Sequence, residues 1–142
     1  MESNMNEKIY NELIKLSKKA MKNEEVPVAA IIVKNNKIIA KSFNKRENKN
    51  DILGHAEIIC IRKVNKKLKT WKLEECTMYC TLRPCSMCEK IIYESRIKEV
   101  IYILEKEKNK KEYLKTKIYK YDDKHYEQEI KKIMHTFFKN KR

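Results

Sequence analysis

The chain has 142 residues, which fits one compact domain, and 42% of them are apolar, enough for a hydrophobic core. Its formal net charge of +14 favours a polyanionic partner such as nucleic acid, although Lys and Asn spread along the whole chain explain that charge equally well. No apolar run is long enough to cross a bilayer, and residues 1–11 lack the apolar stretch of a signal peptide. We therefore expect a cytoplasmic protein whose five Cys stay mostly reduced.

The first third of the chain predicts a helix followed by a hairpin. Apolar residues recur every three or four positions across 5–20, which is typical of an amphipathic helix. The β-branched stretch 26–33 predicts a strand, the polar residues 34–37 a turn, and 38–40 the start of a second strand. Together these features predict a hairpin over 26–42.

The rest of the chain alternates predicted strands with predicted helices. We predict a loop at 44–50, helices at 56–69 and 85–95, strands at 77–82 and 100–104, a solvated charged stretch at 105–117, a short strand at 118–121 and a helix at 126–139. Pro84 stands where the second of these helices begins, and 100–104 is apolar enough for a buried parallel strand. The order predicts an α/β fold, a three-layer α-β-α arrangement with a central mixed five-stranded sheet, in a single domain over 1–142.

Two short motifs carry donors suited to zinc. His55 is the first residue of His-Ala-Glu, and Cys85 and Cys88 belong to Pro-Cys-Ser-Met-Cys at 84–88. Two thiolates and one imidazole leave the fourth tetrahedral position for water, as in catalytic Zn²⁺ sites. A helix beginning at this point would favour thiolate over thiol and place both sulfurs on one face. The other three Cys, at 60, 76 and 80, lack such a context, and we interpret those at 60 and 80 as small buried residues.

Glu57 is the predicted catalytic residue. It follows His55 by two positions and is expected to remain unligated beside the zinc-activated water, where it would shuttle protons to a ring nitrogen and a leaving amine. Two alternatives to a deaminase remain open: a non-catalytic zinc module that binds nucleic acid or a catalytic partner, and a thiol redox protein that uses Cys85 and Cys88. The first leaves Glu57 unexplained, and the second leaves both His55 and Glu57 unexplained.

The sequence resembles the bacterial-type tRNA-specific adenosine deaminases of the cytidine/deoxycytidylate deaminase superfamily. The zinc motif is shared by that whole superfamily. Three segments favour the tRNA branch: Glu-Val-Pro-Val at 25–28, Ser-Arg-Ile at 95–97, and Phe-Phe followed by basic residues at 137–142. A deaminase of cytosine, guanine or a free nucleoside is the second hypothesis, since it would use the same zinc chemistry.

The resemblance implies a cytidine-deaminase-like fold and conversion of the wobble adenosine of tRNA to inosine with Zn²⁺ as cofactor. It implies a tRNA anticodon stem-loop as substrate and a homodimer, or a heterodimer if the source is eukaryotic. The residues it assigns to substrate binding are Asn44, Ala56, Pro84, Phe137, Phe138, Lys139 and Arg142. Asn44 is equally well interpreted as a turn-forming Asn, and at least one of the two Phe is expected in the core.

Arg83 departs from the family, which usually has an acidic residue just before Pro84. An ion pair between Arg83 and Glu57 would lower the pKa of Glu57 and weaken it as a proton shuttle. We instead expect the Arg83 guanidinium to bind a substrate phosphate or to be solvated. Residues 105–117 are a second departure, because the family has a Gly-rich stretch there.

Overall fold

The computed structural model describes residues 2–105, 120 and 123–139. The elements, in chain order, are α1 (Glu2–Lys22), β1 (Ala29–Lys34), β2 (Lys37–Phe43), α2 (Ala56–Leu68), β3 (Cys76–Leu82), α3 (Ser86–Glu94), β4 (Glu99–Leu104) and α4 (Lys124–Lys139). Every helix predicted from the sequence is present, with bounds shifted by a few residues.

The strands form one mixed sheet in the order β2-β1-β3-β4. β1 runs antiparallel to both β2 and β3, whereas β3 and β4 are parallel. The mixed sheet is confirmed, but the described residues contain four strands and not the predicted five. The predicted fifth strand, 118–121, lies outside the described residues except for Lys120, which belongs to no strand.

Helices cover both faces of this sheet, which confirms the three-layer arrangement. α1 packs against one face through a cluster of buried apolar residues, namely Ile9, Leu13, Leu16, Ala29, Ile31 and Val33. α2 and α3 pack against the other face through a larger cluster that includes Ala30, Ile32, Cys60, Val64, Met78, Cys80 and Ile92. Cys60, Cys76 and Cys80 are all free and buried, and burial raises the pKa of the Cys60 thiol to about 12, so they serve as apolar filling.

The hairpin turn is built from two asparagines. Asn35 and Asn36 have φ of 52° and 61°, the left-handed region in which Asn is tolerated better than most residues. Positive φ at both central residues is the type I′ geometry that matches strand twist. The predicted turn at 34–37 is confirmed.

Two details of the predicted strands are wrong. The first strand begins at Ala29 rather than at residue 26, because Pro27 has no N–H to donate and the Val28 N–H bonds to the Val26 carbonyl in a tight local turn. β4 is an edge strand rather than a buried one, since only β3 pairs with it among the described residues. Ile103 and Leu104 are accordingly 53% and 64% exposed.

The chain divides into two compact units, Met1–Lys108 and Asn109–Arg142. The first contains the sheet with α1 to α3, and the second contains α4. Within the described residues, no helix is both long and apolar enough to span a membrane. The predicted charged stretch 105–117 lies outside the described residues except for Glu105.

Candidate active site

The predicted metal ligands are placed by the starts of two helices. His55 is the N-cap of α2 and Cys85 is the N-cap of α3, both with extended backbones and neither with a side-chain hydrogen bond to its own helix. The Cys85 carbonyl accepts the Glu89 N–H at 2.8 Å, so α3 begins one residue later than predicted. Buried Pro84 therefore stands before the cap and not in the first turn. The side chains of His55 and Cys85 are thus left available to a ligand.

His55, Cys85 and Cys88 come together in space. The ligand atoms of the three residues lie within 4.8 Å of one another, and His55 Nδ1 is 3.9 Å from Cys85 Sγ. Tetrahedral zinc with Zn–S near 2.3 Å and Zn–N near 2.0 Å holds its donors roughly 3.5–3.8 Å apart. No other group of three His, Cys, Asp or Glu within the described part of the chain is suited to a metal ion. The geometry is therefore close to what one zinc ion requires.

The chemistry of this donor set also calls for a cation. Burial raises the pKa of the Cys88 thiol, and nearby Glu57 and Cys85 raise it further. The partial positive charge at the N-termini of α2 and α3 opposes this effect only in part. A bound dication would favour the thiolate form of both cysteines, which is the form that ligates metals.

Glu57, the predicted proton shuttle, is a buried carboxyl with an unsatisfied oxygen. It lies in the first turn of α2, is 3% exposed, and its Oε1 has no hydrogen-bond partner among the described residues. Burial raises the pKa of Glu57 despite the opposing effects of its own backbone N–H and of His55. An unpaired buried oxygen beside a donor set that leaves one position for water fits a catalytic zinc site better than a closed structural one.

A cavity of about 210 Å³ opens over these residues. His55, Glu57 and Cys85 line it together with the aliphatic side chains of Val28 and Leu82. Its volume lies below the ~300 Å³ at which drug-sized pockets begin, which suits one planar ring better than a larger ligand. The carboxyl and the metal donors are thus presented to the same small space.

Asn44 lies at this cavity and also fixes the start of α2. It is buried, and its Oδ1 accepts the backbone N–H of Ala56 at 2.9 Å. This hydrogen bond satisfies one of the N–H groups that every helix start leaves unpaired. Ala56 itself is fully buried.

Arg83 also lines the cavity, but it is paired with carboxylates other than Glu57. Its guanidinium lies 3.2 Å from Glu105 and 3.9 Å from Glu89, and 5.8 Å above the ring of Tyr102. The side chain is 43% exposed. The harmful pairing with Glu57 is therefore absent, and Arg83 is engaged in a surface ion pair rather than simply solvated.

The predicted substrate contacts near the C-terminus belong to the second unit. Phe137 and Phe138 are 53% and 67% exposed, with ring centroids 5.2 Å apart in an edge-to-face arrangement. The expectation that one of them is in the core is therefore wrong. Lys139 is exposed at the last residue of α4, and Arg142 lies outside the described residues.

Sequence reasoning assigns no role at the cavity to Glu25 or Arg46, both of which line it. In the sequence, Glu25 stands out only as the first residue of a family marker. The one sequence signal for a role of Glu25 is its position directly before the predicted apolar strand. A charge buried at such a position requires hydrogen-bond partners. Those partners lie more than 20 residues away, beyond the reach of any local pattern.

Comparison with protein families identifies residues 3–104 as a cytidine and deoxycytidylate deaminase zinc-binding region. The tRNA-specific adenosine deaminase of Buchnera aphidicola is 35% identical, over 100% of this chain and 99% of that protein. The Bacillus subtilis tRNA-specific adenosine deaminase is 43% identical over 64% of this chain. The chloroplastic tRNA(adenine(34)) deaminase of Arabidopsis thaliana is 43% identical over 61% of this chain. The matched stretch makes up 56% of the Bacillus protein and 7% of the Arabidopsis protein, so it spans only part of these two relatives.

Solved structures of deaminases share the fold. One from a study of A-to-I editing by tRNA:A34 deaminases superposes with a TM-score of 0.68 at 32% identity, covering 71% of this chain and 78% of that one. The guanine deaminase from Bacillus subtilis superposes with a TM-score of 0.77 at 27% identity, covering 91% and 93%. With the matched zinc-binding region and the nearly full-length Buchnera relative, these findings show that the chain belongs to the bacterial-type tRNA-specific adenosine deaminases of the cytidine and deoxycytidylate deaminase family.

Proposed function

We propose that the protein hydrolyses the wobble adenosine of a tRNA anticodon loop to inosine. The observation that carries the proposal is the unpaired Oε1 of Glu57 in the same small cavity as the donors of His55 and Cys85. The tRNA-specific relatives from Buchnera and Bacillus support the choice of substrate. Those bacterial tRNA-modifying relatives also support the prediction of a cytoplasmic protein.

In this proposal, His55, Cys85 and Cys88 would hold one zinc ion, which would supply Lewis-acid activation of water. Glu57 Oε1 would accept one proton from the attacking water and deliver it to the ring nitrogen beside the reacting carbon. The same carboxyl would then take the proton of the newly added hydroxyl and pass it to the amino group, which leaves as ammonia when the C–N bond breaks. Burial raises the pKa of this carboxyl, which makes it a stronger proton acceptor than an exposed Glu. Val28 and Leu82 exclude bulk water from the sides of the base.

Recognition of RNA is assigned to residues around and beyond the cavity. An anticodon-loop base is already unpaired, so moving it into a 210 Å³ cavity costs less than extracting it from a duplex. Asn44, which lines the cavity, offers its amide to the base. The resemblance assigns Ala56 and Pro84 to the same binding site. Phe137 and Phe138 offer ring faces for stacking, and Lys139 and Arg142 offer charges for phosphates.

We further propose that the protein works as a homodimer. β4 and α3 expose apolar side chains, with Tyr93 at 79%, Ile103 at 53% and Leu104 at 64%. A second copy would cover these side chains, as the family resemblance implies. Sedimentation of the native chain should show a dimer, and Tyr93→Glu combined with Leu104→Glu should shift it to a monomer.

Guanine deamination is the second candidate, because the Bacillus subtilis guanine deaminase superposes over more of this chain than the tRNA:A34 deaminase structure does. Ammonia release should be measured with free guanine, free cytidine, free adenosine and an anticodon stem-loop with adenosine at the wobble position. We expect release from the stem-loop alone. Turnover of free guanine with an inert stem-loop would favour the second candidate, and the metal content of the same sample should be about one zinc per chain.

A further inference from the structure

Glu25 is a buried carboxylate that the proposed chemistry does not use. It is 5% exposed and lies between the end of α1 and the start of β1. Its backbone N–H donates to the Ala20 carbonyl at 2.9 Å, which closes the C-terminus of α1 after Glu24 turns the chain at a φ of 61°. The backbone of Glu25 is therefore fixed to the body of the fold.

The carboxylate of Glu25 binds the segment between β2 and α2. Its Oε1 accepts the backbone N–H of Glu47 at 2.9 Å, and its Oε2 accepts the backbone N–H and the side-chain amide of Asn48 at 2.8 and 2.6 Å. Burial alone would raise the pKa of Glu25, but these N–H groups outweigh that effect and lower it. Glu25 is thus charged at neutral pH, and hydrogen bonds to a charged acceptor are the stronger kind.

The segment that Glu25 holds, residues 45–54, is otherwise closed mainly on itself. The Lys45 N–H donates to the Gly54 carbonyl at 2.8 Å, and the Asp51 N–H donates to the Arg46 carbonyl at 3.0 Å. A Cβ at Gly54 would stand 2.7 Å from backbone atoms of Lys45 and Arg46, so the two ends of this 45–54 loop cross in close contact. Hydrogen bonds within the loop backbone fix the base of the loop. Glu25 ties the following turn, at Glu47 and Asn48, to the body of the fold.

The 45–54 loop supplies Arg46 and Glu47 to the cavity that His55 and Glu57 line. We propose that Glu25 is a positioning residue of this cavity, and that its carboxylate holds the 45–54 loop in the conformation that receives the base. Glu25 also lines the cavity, but both of its oxygens are already engaged by loop N–H groups. It therefore acts through the loop and not on the reacting atoms. The role toward substrate rests on the proposed function, whereas the anchoring of the loop does not.

The sharpest test compares one substitution at two neighbouring positions. Glu25→Gln replaces one acceptor oxygen by an amide that cannot accept an N–H, so the Glu47 N–H or the Asn48 donors lose their partner. Glu24→Gln makes the same chemical change at an exposed residue and serves as the control. Hydrogen exchange of the zinc-loaded native chain, without RNA, should show roughly tenfold faster exchange across 45–54 in Glu25→Gln alone, with α2 and α3 unchanged.

The kinetic arm uses the wobble-adenosine stem-loop. Glu25→Gln should raise KM roughly tenfold while kcat and zinc content stay near those of the wild type, because loop order and not chemistry is lost. Asn48→Ala removes the side-chain amide, which donates at 2.6 Å both to Glu25 Oε2 and to the Asn23 carbonyl. It leaves both backbone N–H bonds to Glu25 in place, and should move exchange and KM in the same direction by less. If Glu25→Gln fails to fold, hydrogen exchange and KM of Asn48→Ala still test the proposal.

Unchanged exchange across 45–54 in both variants would overturn the proposal. So would a loss of kcat at constant KM, or a joint loss of zinc and global stability with no selective effect on the loop. If the wild type itself leaves the stem-loop unreacted, the proposed function fails, and the exchange arm still decides whether Glu25 anchors the loop.

Discussion

Glu57 combines two properties that a purely structural residue would not retain together. It is a buried carboxyl with a raised pKa, and one of its oxygens has no partner among the described residues. Leaving such an atom unpaired costs stability, of the order of 1–3 kcal/mol for a polar group. The proposed function in proton transfer would explain why that cost is tolerated.

Glu57→Gln should therefore keep the fold and the zinc but lose nearly all turnover. The amide has the same shape and cannot carry the proton, and proton transfer typically contributes ~10²–10⁴-fold to rate. Single-turnover deamination of a wobble-adenosine stem-loop measures the loss. The control is Glu94→Gln, the same change at an exposed residue of α3, which should keep wild-type rate. A Glu57→Gln enzyme with wild-type rate would show that the shuttle is misassigned.

Arg83 stands where the family resemblance implies an acidic residue, and its ion pair with Glu105 bears directly on the Arg83→Glu substitution. That change restores the usual acidic residue but places a third carboxylate beside Glu105 and Glu89. We expect unchanged zinc content, weaker RNA binding through repulsion of phosphates, and little change in the rate of the bound complex. The stability of the fold should change little, because exposed ion pairs contribute little.

Single-turnover kinetics at saturating enzyme separate these effects of Arg83→Glu from one another. The double change Arg83→Glu with Glu105→Arg reverses the pair and should recover most of the RNA affinity. A large gain in single-turnover rate for Arg83→Glu would instead mean that Arg83 suppresses the chemistry, which its pairing with Glu105 rather than Glu57 argues against.

At the residue scale, the grouping of the proposed metal donors is predictable from sequence, but the contacts of Glu25 with the 45–54 loop are not. His55, Cys85 and Cys88 stand in two short motifs whose spacing alone carries their chemistry. Glu25 acquires its role only through Glu47 and Asn48, which the hairpin brings back to it after 22 and 23 positions. No periodicity or spacing rule connects such positions.

At the scale of elements, the site depends on α2 and α3 beginning side by side. Both helices have N-cap residues whose side chains make no cap hydrogen bond, and Asn44 supplies the missing acceptor for the Ala56 N–H. The 45–54 loop then delivers the chain to the start of α2. Its crossing point at Gly54 leaves no room for a side chain.

Gly54→Ala should therefore destabilise the protein by about 1–3 kcal/mol, the usual range for overpacking a tight site. The added methyl would press on backbone atoms of Lys45 and Arg46, which cannot move aside as a flexible side chain does. Denaturant titration of the zinc-loaded protein measures the change. Lys49→Ala, at an exposed position of the same loop, should stay within ~0.5 kcal/mol of the wild type, and an equal effect of both changes would contradict the close approach at Gly54.

Element types are predictable from sequence because apolar periodicity differs between helices and strands. Sheet order is less accessible: residues 100–104 are apolar enough for a central strand, yet β4 lies at the edge of the described sheet. Burial of a strand depends on its neighbours, which its own composition does not specify. The predicted start of β1 is wrong for a local reason, the missing N–H of Pro27.

At the scale of the whole molecule, the net charge of +14 contributes to function only if the basic residues bind RNA. Changing Lys139, Lys141 and Arg142 to Ala should weaken stem-loop binding and flatten its dependence on salt, by roughly 0.7–0.9 in slope for each phosphate that is no longer neutralised. The control removes three charges near the far end of α2, at Lys66, Lys67 and Lys72, and should alter the slope less. Equal slopes for the wild type and the C-terminal variant would exclude these three residues from the RNA interface.

The proposed reaction is hydrolysis of one adenosine to inosine in an RNA loop, at the site formed by Glu57 and the zinc donors. Mass spectrometry of a wobble-adenosine anticodon stem-loop, after incubation with the zinc-loaded protein, detects this product itself. We predict replacement of one amino group by oxygen at the wobble position with the wild type and none with Glu57→Gln. An unmodified stem-loop after exhaustive incubation with zinc-replete wild type, or equal conversion by Glu57→Gln, would contradict it.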